Sequence, residues 1–336
     1  MCNTDVIILS RRHYGVVALA DVTMSSGLGY GLGWQIAGTV AIAAATGYSL
    51  LPVTLPKFTK RFYAKYSKET NEPLPIDDGD LQLVASVLNK LNFPEHKSAK
   101  LDFYVTDTFY PRHQGCLPLD CFSLIGIPFT FKWKSADDFE AAKGDLIKRN
   151  FPWEEPLASK VAAALLLTDS EKEFLIAQQL GYLDSQQVIV NLFFQVFFIV
   201  SSFIAAHLYN YRKGSKGNQT AMGVTYLTSS LVAYLCYVVI SDSYNCYLDQ
   251  YADKYAATIS PELSQAGCEY YNKILESNKA LRVLVPGFDK KFTAYGNETT
   301  GMLRTKTLPL ISRRDFIQKI HDKQLENLNK SKESQV

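Results

Sequence analysis

The residue types and spacings nearest to catalytic chemistry in this chain lie in two short stretches, Ala177-Gln-Gln-Leu-Gly-Tyr182 and Asp249-Gln-Tyr-Ala-Asp253. Residues four apart share one face of a helix. Two imidazoles so placed, a carboxylate beside the first and a third ligand from elsewhere would hold zinc and activate a water. Here the paired positions are Gln178 and Tyr182. An amide oxygen is a weak zinc ligand, and a phenol of pKa about 10 keeps its proton. Gln179 stands where a general base belongs and cannot accept a proton near neutral pH. Ligands and base are lost together, so the expectation is no catalytic residue, no metal and no cofactor. No His pair at i and i+4 occurs in the sequence. His13, His96, His113 and His321 stand alone and read as solvated, and His207 falls near the end of an apolar run. No Gly-x-Ser-x-Gly, phosphate loop or dinucleotide fingerprint is present.

The frame around these residues does resemble something. Leu167-Thr-Asp-Ser-Glu-Lys-Glu-Phe-Leu-Ile-Ala-Gln-Gln-Leu-Gly-Tyr182 is similar to the active-site helix of membrane-bound zinc peptidases of the HExxH type. In those enzymes a later Glu-x-x-Ala-Asp motif supplies the third ligand, often after a membrane hairpin. Asp249 takes that ligand position and Asp253 matches the second acid. The resemblance implies a degenerate, metal-free zincin-like domain with vestigial positions Gln178, Gln179, Tyr182, Asp249 and Asp253. The alternative is that helices rich in Ala, Leu and acids look alike.

The elements that must position these residues are set by three charge-free runs, Val22–Pro56, Ser185–Tyr211 and Gly217–Ser241. Each exceeds the ~20 apolar residues that span a bilayer as a helix. The expected fold is an α-helical-rich α+β membrane protein with three transmembrane helices, at 29–54, 188–210 and 222–241. They are preceded by an N-terminal segment, 1–28, and the last two are joined by a basic turn, 211–221. The soluble domain is split between 57–187 and 242–328, and a disordered tail, 329–336, follows. The first run is too long for a signal-peptide core and reads as a retained anchor. Its Gly29-x-x-x-Gly33 permits close helix approach.

Arg212, Lys213 and Lys216 place the turn on the cytosolic or matrix side, and Arg11 and Arg12 agree. Lys57, Lys60, Arg61, Lys65 and Lys68 flank the first span on the opposite side, against that rule. Three spans put both soluble segments on one side of the membrane.

Within those segments, Asp80–Leu91 has helical periodicity. Leu101–Thr106 alternates like a strand. Leu124–Trp133 also reads as a strand, with Gly126 and Pro128 suggesting an edge. Thr168 and Glu171 form a capping box for a helix over Asp169–Leu183. Pro261 restarts a helix through about Ser277, and Arg313–Leu328 forms another. The net charge of +2 argues against a nucleic-acid partner. Among six cysteines, Cys116 and Cys121 either bridge or pack as small apolar residues.

A second resemblance rests on Ser241-Asp-Ser243, Asp253, Ala257-Thr-Ile-Ser260 and Gly267-Cys-Glu-Tyr-Tyr271. It continues through Lys273-Ile-Leu275, Ser277-Asn-Lys-Ala-Leu-Arg282, Lys306-Thr-Leu-Pro309 and Ser312-Arg-Arg-Asp315. Gly126-Ile-Pro128 and the Glu173–Leu183 helix extend it upstream. Over roughly 124 to 318 the chain resembles the transmembrane protein 177 family.

That resemblance implies a multi-pass mitochondrial inner-membrane protein with two or three spans and no known catalytic activity. It would support biogenesis or stability of cytochrome c oxidase subunit 2 alongside that subunit's membrane chaperone, with soluble parts in the intermembrane space. Membrane lipid and those two proteins are the implied partners. Tyr270, Tyr271, Arg313 and Arg314 are candidate contact residues; the competing reading packs the tyrosines in the core and pairs the arginines locally. The functional alternative is a membrane-bound metallopeptidase with an atypical site. A transporter is disfavoured by spans with no charge at mid-depth.

Overall fold

The computed structural model describes residues 54–67, 70–140, 151–214, 218–301 and 304–333, with a few isolated residues between 40 and 50. The first expected span, 29–54, falls mostly outside them. The chain divides into two units, one holding 187–244 and the other 55–186 with 245–336.

In the polar unit, α1 (Pro56–Tyr63), α2 (Asp78–Lys90) and α3 (Glu95–Ser98) lead into β1 (Leu101–Thr106), β2 (Arg112–Gln114) and β3 (Ser123–Pro128). Helices α4 (Ala158–Leu165) and α5 (Asp169–Asp184) follow. After the membrane hairpin come the last residues of α7 (Gln219–Ala257), then α8 (Pro261–Leu284) and α9 (Leu310–Glu333). The strand order is β1-β3-β2, with β3 parallel to β1 and antiparallel to β2.

That order corrects the reading of β3 as an edge. It is the central strand and every residue of it is buried. Pro128 is tolerated because it closes the strand opposite Thr106, where no further ladder bond is needed. Gly126 is there because Tyr104 lies across it: a Cβ would stand 2.9 Å from Tyr104 Cζ. The extended run stops at Pro128, and Phe129–Lys132 turn into a 3-10 helix.

Helix α5 is the axis of this unit. Its capping box is formed, Thr168 Oγ1 accepting from Glu171 N and Thr168 N donating to Glu171 Oε2 at 2.7 Å. Phe174, Leu175, Ile176, Ala177, Leu180 and Leu183 are buried against Val84, Val87, Ile125, Ile127, Phe131, Tyr271 and Ile317. A helix enclosed on all sides must also enclose its polar residues, and buried charge is tolerated only when paired. Glu171 accepts from Lys273 at 2.7 Å, and Glu173 from Ser86 at 2.7 Å and Lys90 at 2.5 Å. Cys116 is buried and Cys121 half-buried, both as free thiols. The last helix runs to Glu333, past the point where a disordered tail was expected, because Asn329–Glu333 contains no helix breaker once the helix is under way.

The other unit contains α6 (Gln187–Arg212) and the part of α7 (Gln219–Ala257) up to Tyr244. The two pair antiparallel: Ser229 Oγ donates to Ser202 O at 2.8 Å, Phe203 meets Tyr226, Phe198 meets Tyr237 and Phe194 meets Tyr244. Phe193, Phe197, Ile204, Leu227 and Leu231 face outward. Both helices are long and apolar enough to cross a membrane. Helix α7 does not stop at Ile240, where the apolar run ends, but continues unbroken to Ala257.

Candidate functional site

Gln178 and Tyr182 lie one turn apart on α5, and Asp249 and Asp253 one turn apart near the end of α7. The two pairs meet. Gln178 Nε2 donates to Asp253 Oδ1 at 2.6 Å, and the Tyr182 hydroxyl donates to Asp249 Oδ1. Gly181 makes the approach possible, since a Cβ there would stand 2.9 Å from Tyr255 Cβ and 3.2 Å from Ala252 Cα. Four of the five vestigial positions thus converge although about 70 residues and a hairpin separate the two stretches.

Arg313, from the first turn of α9, holds them together. Its Nε donates to Asp253 Oδ2 at 2.6 Å and an Nη to Asp253 Oδ1 at 2.9 Å, the bidentate fork that suits guanidinium and carboxylate. The same terminal nitrogen donates to the Tyr182 hydroxyl at 3.2 Å, and the other lies 3.6 Å from Asp249 Oδ1. Tyr271, on α8, donates to Asp253 Oδ1 at 2.8 Å, and its ring lies under the guanidinium at 5.1 Å. Leu308 N donates to Asp249 Oδ2 at 2.8 Å. All four oxygens of the two carboxylates therefore have donors. The cluster ties α5, α7, α8 and α9 to one another.

Asp253 has no exposed surface and Arg313 only 11% in its side chain. Burial works against the guanidinium's charge, but Asp253, the two phenols and Asp249 hold its proton on, well above the ordinary range. Burial also pushes the Tyr182 and Tyr271 phenols far up, against the opposing pull of Arg313. Both hydroxyls remain protonated and act as donors.

The fifth position, Gln179, lies on the flank. Its Oε1 sits 2.8 Å from His113 Nδ1, and its Nε2 donates to Gln178 Oε1 at 3.3 Å. The His113 ring stacks on Tyr182 with centroids 4.6 Å apart. His113 is therefore half-buried at the site rather than solvated, brought there by β2, which packs on α5.

These residues do not fit a zinc ion. Where two imidazoles and a base would be needed stand an amide, a protonated phenol and a second amide. The carboxylates that could ligate are paired with a fixed guanidinium. The arrangement is an interior ionic lock, with His113 half-buried on its flank.

The candidate contact residues fare differently. Tyr270 and Tyr271 are 5% and 2% exposed, and Arg313 belongs to the lock, so these three lie in the interior and not on a surface. The α8 periodicity buries the tyrosines, and two buried acids claim the arginine. Arg314 stays at the surface, paired with Asp315 at 2.7 Å and reaching Asn272 at 3.4 Å. The part played by Arg313 as counter-ion was not read from the sequence; two acids one turn apart, Asp249 and Asp253, and an arginine in Ser312-Arg-Arg-Asp315, were the signals.

The profile of the family described as Transmembrane protein 177 matches residues 112–333, which include every residue of the lock. The chain belongs to the transmembrane protein 177 family. It is similar to the human Transmembrane protein 177, 24% identical over 283 residues that cover 80% of this chain and 85% of the relative. The mouse relative is 24% identical over 252 residues, covering 74% and 80%. The Xenopus laevis relative is 26% identical over 216 residues, covering 62% and 69%. No solved structure matches the chain. With two candidate spans, this member of the family is a membrane protein.

Proposed function

We propose that the chain is a non-catalytic factor of the mitochondrial inner membrane that supports the biogenesis or stability of cytochrome c oxidase subunit 2 together with that subunit's membrane chaperone. Its polar unit faces the intermembrane space, and a first span near 29–54 joins α6 and α7 in the bilayer. The observation that carries the non-catalytic part is the Arg313–Asp253 fork. A guanidinium occupies the place between α5 and α7 where a peptidase of similar frame would carry its metal. A zincin-like ancestry accounts for the convergence of Gln178, Tyr182, Asp249 and Asp253 from two distant stretches. Membrane anchoring with a folded polar unit suits binding of an incompletely assembled membrane subunit. Family membership supports the compartment and the partner.

The test is isolation of the full chain, tagged at its C-terminus, from mitochondria pulse-labelled for organellar translation. Newly made subunit 2 should be enriched over other translation products. Equal recovery of all products, or none, would remove the proposed partner. The metallopeptidase alternative requires Arg313 to vacate the two aspartates, and no other described cation stands ready to replace it.

A further inference from the structure

We propose that α1 is an interfacial helix that seats the polar unit on an anionic bilayer surface through Phe58, Arg61 and Phe62. The helix has two faces with different work. On the inner side Lys60 Nζ pairs with Asp102 Oδ2 at 2.7 Å and lies 5.9 Å from the Tyr104 ring centre. The Tyr63 carbonyl accepts from Thr106 Oγ1 at 3.0 Å, its ring packs 4.6 Å from the Arg112 guanidinium, and Ala64 bridges to Thr106. The helix is thereby pinned along the outer side of β1.

On the outer side Phe58 is 48% and Phe62 69% exposed, one turn apart, their rings packed edge to face at 4.9 Å. Leu55, just before the helix, is also half exposed, and Arg61 is exposed beside them. Two adjacent phenyl rings left in water forgo the stabilisation their burial would bring. Aromatic residues next to a basic one are the composition that lies at the boundary of acyl chains and headgroups.

The occupant follows from chain continuity. Helix α1 begins at Pro56, where the charge-free run Val22–Pro56 ends. If that run crosses the bilayer, α1 is within a few residues, at 3.8 Å each, of the lipid surface. Of the basic residues after the first span, which oppose the positive-inside rule, Lys60 and Lys65 pair with Asp102 and Asp107, and exposed Arg61 then reads as a headgroup contact. Only the assignment of the first span underlies this seating, not the proposed partner, so its failure leaves the subunit 2 role standing.

The experiment places p-benzoylphenylalanine at Phe62 of the full chain in nanodiscs and, as a control, at Tyr295, which is 71% exposed. Irradiation should give a phospholipase-sensitive lipid adduct at position 62 and not at 295. Arg61→Glu should lower that adduct about five-fold in discs of phosphatidylcholine with phosphatidylglycerol and leave it unchanged in phosphatidylcholine alone. Equal labelling at both positions, no lipid adduct at 62, or a predominantly polypeptide adduct when the irradiation is repeated in native membranes would overturn the proposal.

Discussion

Replacing Arg313 by Met removes the guanidinium and leaves two carboxylates in the interior. Asp253 then loses donors at 2.6 and 2.9 Å and keeps only the neutral ones from Gln178 and Tyr271. Asp249 keeps Tyr182 and Leu308 N. Breaking a buried pair from one side costs about 3–5 kcal/mol, because the remaining charge is left uncompensated. A whole domain is stable by only about 5–15 kcal/mol. At about 2–4 °C per kcal/mol for a unit of this size, the melting temperature should fall by about 6–20 °C. Fluorescence of Trp133 and Trp153, both in the polar unit, reports this unfolding for the full chain in nanodiscs. Adding Asp253→Asn should restore more than half of the loss, since it removes the orphaned charge. Arg313→Lys should fall between, because an ammonium cannot form the fork. A shift for Arg313→Met below about 2 °C, or no recovery in the double variant, would refute the reasoning.

Phe197 lies mid-way along α6 and faces outward, so Phe197→Arg should oppose insertion by about 2.5–3.5 kcal/mol; unchanged carbonate-resistant membrane integration would contradict the span. Thr168→Ala removes the acceptor for Glu171 N and should cost about 1 kcal/mol by thermal unfolding; an unchanged melting temperature would contradict the cap. Burial holds the phenols of Tyr182, Tyr270 and Tyr271 well above their usual range. Their pKa is raised in the folded state, so the stability they contribute is intact below the unfolded value of about 10 and is lost as the pH climbs beyond it. Tyrosinate absorbance should therefore show these three ionising only together with loss of the near-UV dichroism; full titration of all tyrosines with the fold intact would contradict their placement.

Much of this architecture is legible because it is written locally. The capping box at Thr168 and Glu171 starts α5 where expected, since both halves of the motif lie within one turn. The apolar runs mark α6 and the first part of α7, since length and absence of charge suffice. Periodicity cannot show where a helix stops when the following residues also tolerate one, so α8 extends to Leu284, past the expected end near Ser277. Gly126 and Pro128 mislead for another reason: their local meaning is an edge, and only the tertiary position of Tyr104 reveals why the glycine sits in a central strand.

At the site, spacing was enough to nominate Gln178, Tyr182, Asp249 and Asp253, because i and i+4 pairs on two helices are visible in a sequence. The counter-ion was not visible. Arg313 is sixty residues from Asp253, and nothing in its own neighbours says whether it pairs inward or faces a partner. Arg314, the next residue, does the opposite, lying at the surface against Asp315. His113 likewise reached Gln179 and Tyr182 only through the pairing of β2 with β3.

The most direct measurement is elemental analysis of the full chain purified in nanodiscs and equilibrated with zinc alone. With Arg313 serving as the cation between Asp249 and Asp253, the expected result is zinc far below one per chain. One zinc per chain, lost on substituting Tyr182→Phe or Asp249→Asn, would contradict it.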